Sequence, residues 1–275
     1  MSAFFAHCGA GHIGLALFLN AGDPPFGLFE PLAMALDDAG VECLELAVPF
    51  PNSITDGPVV QRSARRALDN GADLNAVLAH LARLRPRLRH MKVALLADWS
   101  HTVRPVSLAS FLEQVSGSGA DGVLVHGLPP RQVPDLHEEA GRLSLPVVTS
   151  CYAASTPETM ANAARQATAY LYLVSHYGRT GQSPPGGFAG LAPVIATLRL
   201  HCRSPIAVGF GVKAREHVTA LRDAGADAAI VGSTLVARIE DAVTSGADPV
   251  AAALALVDEL RPASKRPVPQ REACT

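Results

Sequence analysis

The chain has 275 residues, 48% of them hydrophobic, with 23 basic against 25 acidic side chains and a formal net charge of −2. That suits one large globular domain or two small ones. The near-neutral balance gives no electrostatic case for nucleic acid, and charges or prolines interrupt each apolar run before it reaches membrane-spanning length.

Along the chain, short apolar runs alternate with amphipathic segments about eight times. The opening residues, from Met1 to Cys8, lack a basic n-region and do not resemble a secretory signal. Segment 2–14 carries Gly9, Gly11 and Gly14, more glycine than a stable helix wants. Strands are predicted at 15–20, 43–48, 92–97, 122–126, 147–150, 170–175, 206–209 and 228–232. Helices are predicted between them at 29–38, 61–68, 74–84, 108–115, 132–142, 157–167, 191–200, 214–224 and 234–243, with a last helix at 252–260. Several helices stop at Gly beside Ala, as at Ala39-Gly40, Gly119-Ala120 and Gly225-Ala226. Near-continuous apolar strands alternating with helices mean parallel strands covered by helices. The pattern predicts an α/β fold, a single-domain (β/α)8 TIM barrel over 1–262, with a flexible C-terminal tail over 263–275. A doubly wound sheet is the alternative, lowered by the absence of Gly-x-Gly-x-x-Gly after the first strand. The five cysteines, Cys8, Cys43, Cys151, Cys202 and Cys274, are widely spaced with no Cys-x-x-Cys pair. They predict reduced thiols, a cytoplasmic setting and no structural zinc.

In such barrels the chemistry lies at the C-terminal ends of the strands. The second strand carries Glu45 amid Leu44, Leu46 and Val48, and Asp56 follows on the loop leaving it. An unpaired charge inside a strand is costly, so this pair reads as a two-carboxylate acid/base site. The bland reading is a salt-bridged Glu45 beside an Asp56 that caps a helix. Glycine-bearing turns follow the last three strands, Gly178-Arg179-Thr180-Gly181, Gly209-Phe210-Gly211 and Gly232-Ser233. Together they predict a phosphate site built on backbone amides.

These residues resemble the tryptophan synthase α subunit family, almost end to end. The family's first strand exits in Gly-Asp-Pro, here Gly22-Asp23-Pro24. Its second reads Leu-Glu-Leu-Gly-Ile/Val-Pro-Phe-Ser-Asp-Pro and then Ala-Asp-Gly-Pro. Here that is Leu44-Glu45-Leu46-Ala47-Val48-Pro49-Phe50-Pro51-Asn52-Ser53 and then Thr55-Asp56-Gly57-Pro58. Its sixth reads Tyr-x-x-Ser-x-x-Gly-x-Thr-Gly, here Tyr172 to Gly181, and the last two match at Gly209-Phe210-Gly211-Val212 and Gly232-Ser233-Thr234. The resemblance implies retro-aldol cleavage of indole-3-glycerol phosphate to indole and glyceraldehyde 3-phosphate, with no metal or organic cofactor. It implies that Glu45 is the general acid/base, that Asp56 holds the indole N–H and that Tyr172 lines the site. Phe18, Leu96, Leu124, Phe210 and Ile230 match the apolar slot for the ring, although plain barrel core explains them equally well. Gly181, Gly211, Gly232 and Ser233 match the phosphate-binding positions.

The chain departs from the family at several rims. The third strand runs into Asp98-Trp99-Ser100-His101. The fourth ends His126-Gly127-Leu128-Pro129, without an Asp that the family places near its catalytic Asp. Asp98 and His126 are each expected either to replace it or to be satisfied rim residues. Cys151 reads as a bystander thiol at a strand end, and Trp99 is expected to stack in the pocket, with a lid anchor as the alternative. The Pro/Gly-rich segment 182–188 is expected to be a mobile lid. At Pro51-Asn52-Ser53 the charge and proline that meet the family's β subunit are out of register. The leading expectation is a stand-alone lyase of a specialised pathway. Kept beside it are an α subunit working with a β subunit, a lyase on a related phosphorylated substrate, and a non-catalytic partner of a β-like enzyme.

Overall fold

A computed structural model describes residues 4–5, 12–175 and 187–261. Eight strands run parallel: β1 (Gly14–Asn20), β2 (Cys43–Ala47), β3 (Lys92–Asp98), β4 (Gly122–His126), β5 (Thr149–Tyr152), β6 (Leu171–Val174), β7 (Ile206–Gly209) and β8 (Ala228–Val231). Their order is β4-β3-β2-β1-β8-β7-β6-β5, and the Val123↔Val147 bridge joins the two outer strands, so the sheet rolls into a barrel. The expected (β/α)8 architecture is therefore the observed one.

Ten α-helices connect or follow the strands among the described residues: α1 (Phe26–Asp38), α2 (Pro58–Asp69), α3 (Leu74–Leu84), α4 (Leu108–Gly117), α5 (Val133–Arg142), α6 (Pro157–Gln166), α7 (Ala192–Arg199), α8 (Arg215–Asp223), α9 (Ser233–Ser245) and α10 (Pro249–Leu260). Their starts follow from local chemistry. Asp73 caps α3 through the Ala76 amide, Thr156 caps α6 ahead of Pro157, and Asp248 caps α10 ahead of Pro249. The glycines expected to end helices, Gly40, Gly119 and Gly225, have φ of 74°, 81° and 91°, the left-handed region that a side chain disfavours.

Outward-facing strand residues such as Leu15, Leu17, Leu44, Leu46, Val93 and Leu95 pack with the helices in one continuous apolar shell. The inside of the barrel is built differently. Ala16, Cys43, Ala94, Ala207 and Ala228 leave space there, and Tyr170, Phe4 and Phe5 fill it. The rings of Phe4 and Phe5 lie 5.3 Å and 5.5 Å from that of Tyr170. Gly122 opens β4 where a Cβ would stand 3.1 Å from the Phe4 ring.

One expectation is corrected. β5 starts two residues later than predicted, because the Val148 amide bonds Val123 of β4 while the ladder to β6 begins at Thr149. Where segment 2–14 is described, Phe4 and Phe5 form a turn, in keeping with a composition too rich in glycine for a stable helix. The tail 263–275 lies outside the described residues.

Candidate active site

A cavity of about 280 Å³ opens at the C-terminal ends of the strands. Glu45, Asp56 and Tyr172 all line it, as do Phe18, Leu96, Leu124, Phe210 and Ile230. Gly211, Gly232 and Ser233 line it too, whereas Gly181 and the Gly178 turn lie outside the described residues. The two carboxylates expected to share a pocket therefore do.

Glu45 pairs with Phe18 across β1 and is 1% exposed. The Tyr170 hydroxyl donates to its Oε1 at 2.6 Å. Burial pushes the carboxyl up to about 7, and the Tyr170 hydrogen bond works against that rise. A carboxyl titrating there can both give and take a proton near neutrality. Glu45 is thus not the salt-bridged strand residue of the bland reading: its described partner is a phenol.

Asp56 sits on the loop between β2 and α2. Burial raises its carboxyl, while the Ser53 hydroxyl and the His126 imidazole lower it. The loop is fixed from α2, where Gln61 Nε2 donates to the Ser53 carbonyl at 2.6 Å. Helix α2 is itself anchored. Arg66 donates to both carboxylate oxygens of Asp23, at 2.9 and 2.7 Å, and to Glu240 of α9 at 2.6 Å. One guanidinium thus ties together the loop after β1, the helix after Asp56 and the helix that starts at Ser233. The buried Asn20 adds a bond from its amide to Ser63 of α2 at 3.0 Å.

Tyr172 lies against β7, where a Cβ on Gly209 would come within 2.6 Å of the phenol oxygen. Burial pushes that phenol well above its usual range, so it stays a neutral donor. Phe210 and Gly211 both take positive φ, 72° and 80°. For Phe210 that is a strained conformation, of the kind that clusters at functional sites. Ser175 Oγ donates to the Phe210 carbonyl at 2.9 Å and holds the turn from β6. Helix α9 begins at Ser233 with no side chain capping it, so its first amides are not satisfied by a cap and suit an anion.

The departures fall out as follows. Asp98 and His126, paired in register on β3 and β4, both line the cavity. Asp98 Oδ1 accepts the His101 amide at 2.8 Å and faces His101 Nδ1 at 2.7 Å, and that imidazole stacks on Phe50 of the Asp56 loop. Trp99 does not line the cavity as expected; it packs against the outer apolar shell. Cys151 is buried in that same shell, its thiol pushed up to about 12 by burial, which makes it inert. The lid expected at 182–188 lies mostly outside the described residues, but its last residue, Phe188, is buried and packs near His217.

Tyr170 was missed. Site residues were sought where strands end, and Tyr170 immediately precedes β6. The signal was parity: Tyr170 and Tyr172 are two apart and so face the same side of the strand.

A family model described as tryptophan synthase alpha chain matches residues 7–265. The tryptophan synthase alpha chain of Synechococcus elongatus is 34% identical over 236 residues, covering 86% of this chain and 88% of that one. That of Burkholderia ambifaria is 32% identical over 260 residues, 94% of each chain. Among solved structures, a mutant tryptophan synthase alpha-subunit from Pyrococcus furiosus superposes with a TM-score of 0.79 at 30% identity, covering 90% of this chain and 97% of that one. A chain of the tryptophan synthase complex from the same organism gives a TM-score of 0.76 at 28% identity, covering 90% of this chain and 95% of that one.

Proposed function

The chain belongs to the tryptophan synthase alpha chain family, and from that membership we propose how its cavity cleaves indole-3-glycerol phosphate to indole and glyceraldehyde 3-phosphate. The observation that carries the mechanism is the pairing of Glu45, raised to about 7, with Asp56 across an apolar cavity. Protonated Glu45 gives its proton to the ring carbon that bears the side chain. Positive charge then rests on the ring nitrogen, which Asp56 faces as a carboxylate. The Glu45 carboxylate next takes the proton of the neighbouring side-chain hydroxyl. As that oxygen becomes the aldehyde carbonyl, the carbon–carbon bond breaks and its electron pair returns to the ring. Protons and electrons balance, and no step calls for a metal or organic cofactor.

Phe18, Leu96, Leu124, Phe210 and Ile230 hold the ring, and Tyr172 flanks the glycerol chain. The amides near Gly211, Gly232 and Ser233, with Gly181, grip the phosphate. The apolar slot excludes water and strengthens every charge interaction inside it.

A β-type tryptophan synthase subunit is the partner we assign to the mouth of the barrel, and one observation favours it over solitary work: Ile54, on the Asp56 loop, is 85% exposed. With Pro51 also exposed on this loop and Pro58 at its end, Ile54 is one of several bare apolar residues there rather than a lone one, which suits a protein interface. The altered Pro51-Asn52-Ser53 segment beside it weakens the dock without removing it. No described helix is long and apolar enough to cross a membrane, and we place the reaction in the cytoplasm.

The test is indole release by the purified chain, alone and with a β subunit. Glu45→Gln is expected to cut turnover by about 10²–10⁴ with an unchanged circular dichroism spectrum. Near-wild-type turnover in that variant would refute the mechanism. No indole from the wild type under either condition would move the activity to a related phosphorylated substrate.

A further inference from the structure

The cavity wall changes character partway round the barrel. In the closed strand order β3 stands opposite β7, and β4 opposite β8. The turns proposed to grip the phosphate follow β7 and β8, so a substrate held there points its far end at the tips of β3 and β4. Alternate residues of a strand share a face, and the cavity-lining pairs on these two strands are Leu96 then Asp98, and Leu124 then His126. Asp98 and His126 are partners in register, and Ser150 of β5 lines the cavity on the next strand round. A deep apolar layer is thus topped by a polar arc, on the side away from the phosphate turns.

Asp98 is held in that arc from behind. It is 9% exposed, and its Oδ1 accepts the His101 amide at 2.8 Å and faces His101 Nδ1 at 2.7 Å. Its Oδ2 has no partner among the described residues, yet it is not sealed in, because Asp98 lines the cavity. That oxygen lies towards the exit of β4, 3.7 Å from where a Cβ on Gly127 would stand. The His101 ring stacks on Phe50, at 5.2 Å between centroids, so the Asp56 loop and the Asp98 carboxyl are braced against each other. A ring edge of carbon alone would strip water from Oδ2 and give nothing back. An N–H or O–H on that edge would satisfy it. Plain indole has one polar hydrogen, on the ring nitrogen, and in the lyase reading that hydrogen faces Asp56.

Resting on that reading, we infer that the preferred substrate is an indole-3-glycerol phosphate with a hydroxyl or amino group on the benzo edge of its ring, and that Asp98 Oδ2 accepts a hydrogen bond from that group. His126 and Ser150 complete the polar wall around it. Asp98 is then a specificity-determining residue: plain indole-3-glycerol phosphate is still cleaved, but less efficiently than the donor-bearing ring. A site that hydrogen-bonds a substituent disfavours the analogue lacking it, because its own polar group is left unpaired.

The experiment runs the reaction in reverse with the full chain, joining glyceraldehyde 3-phosphate to indole. It is repeated with indoles bearing one hydroxyl, amino or methyl group on each benzo carbon in turn. At one carbon at least, hydroxyl and amino should each raise kcat/KM over indole by about tenfold or more, and methyl should not. Asp98→Asn keeps an oxygen for the His101 amide and turns an NH2 towards the cavity, so the advantage of the amino compound should disappear. A donor advantage below about twofold at every carbon overturns the inference. So does an advantage that methyl shares, which would report size alone, or an amino advantage that survives Asp98→Asn. The wild-type series decides by itself if the variant does not fold. If no ring is joined at all, the lyase reading fails separately. The same rings are then titrated into the full chain by calorimetry, where hydroxyl and amino compounds that bind no tighter than indole overturn the role of Asp98.

Discussion

Glu45 is 1% exposed, and burial pushes its carboxyl up to about 7. In the unfolded chain the same group titrates in the ordinary glutamate range. The folded state therefore holds this proton more tightly than the unfolded state does. The sign follows: the fold keeps its full stability below the ordinary glutamate value and loses part of it as pH rises towards 7. Above that, the loss levels off at roughly 3 kcal/mol for a shift of this size. Glu45→Gln keeps the shape and the oxygen that accepts from Tyr170, but never ionises. We predict that its melting temperature matches the wild type near about pH 4 and exceeds it at about pH 8. Calorimetry across that range checks this; a gap that does not widen with pH would mean Glu45 ionises at its usual value. The group proposed to carry the chemistry is then one that holds the fold back, as expected where activity and stability compete.

At the scale of elements, the segment holding Phe4 and Phe5 supports Glu45 from the far end of the barrel. Its rings pack on Tyr170, and Tyr170 bonds Glu45. Phe4 is 1% exposed, so Phe4→Ala should cost about 3–5 kcal/mol of stability, read from denaturant melts. A loss under about 1 kcal/mol would mean that the ring is not part of the packed interior. This segment also marks where the sequence stops being readable. Parallel strands show as continuous apolar runs, so the eight units and the charged Glu45 inside one of them stood out. The packing of Phe4 and Phe5 on Tyr170 joins residues about 165 positions apart, and local pattern holds no trace of such a contact. β5 was misplaced for a related reason. Val147 and Val148 look like a strand, yet their neighbours direct the ladder to Thr149–Tyr152. Trp99 was expected in the pocket on its residue type. The turn after β3 rotates it to the outer shell and leaves Asp98 facing the cavity.

For the whole molecule, the mouth of the barrel serves both the reaction and any partner. Ile54 lies outside the cavity lining although it is on the same loop as Asp56. Ile54→Asp should leave indole release by the isolated chain within about twofold of wild type, and should abolish any increase caused by a tryptophan synthase β subunit. Paired assays with and without that subunit decide it; an increase that survives the substitution would place the dock elsewhere. The hydrogen bond from Tyr170 to Glu45 has a wider consequence. The parts that choose the substrate, the ring slot and the phosphate amides, are at the mouth. Burial is what chiefly tightens the hold of Glu45 on its proton, and the one phenol that loosens it reaches the carboxyl from the opposite end. Substitutions around Phe4, Phe5 and Gly122 can therefore retune the acidity of the site while its selectivity stays fixed. Such a barrel lets a lineage adapt to a new ambient pH and to a new substrate as two separate evolutionary problems.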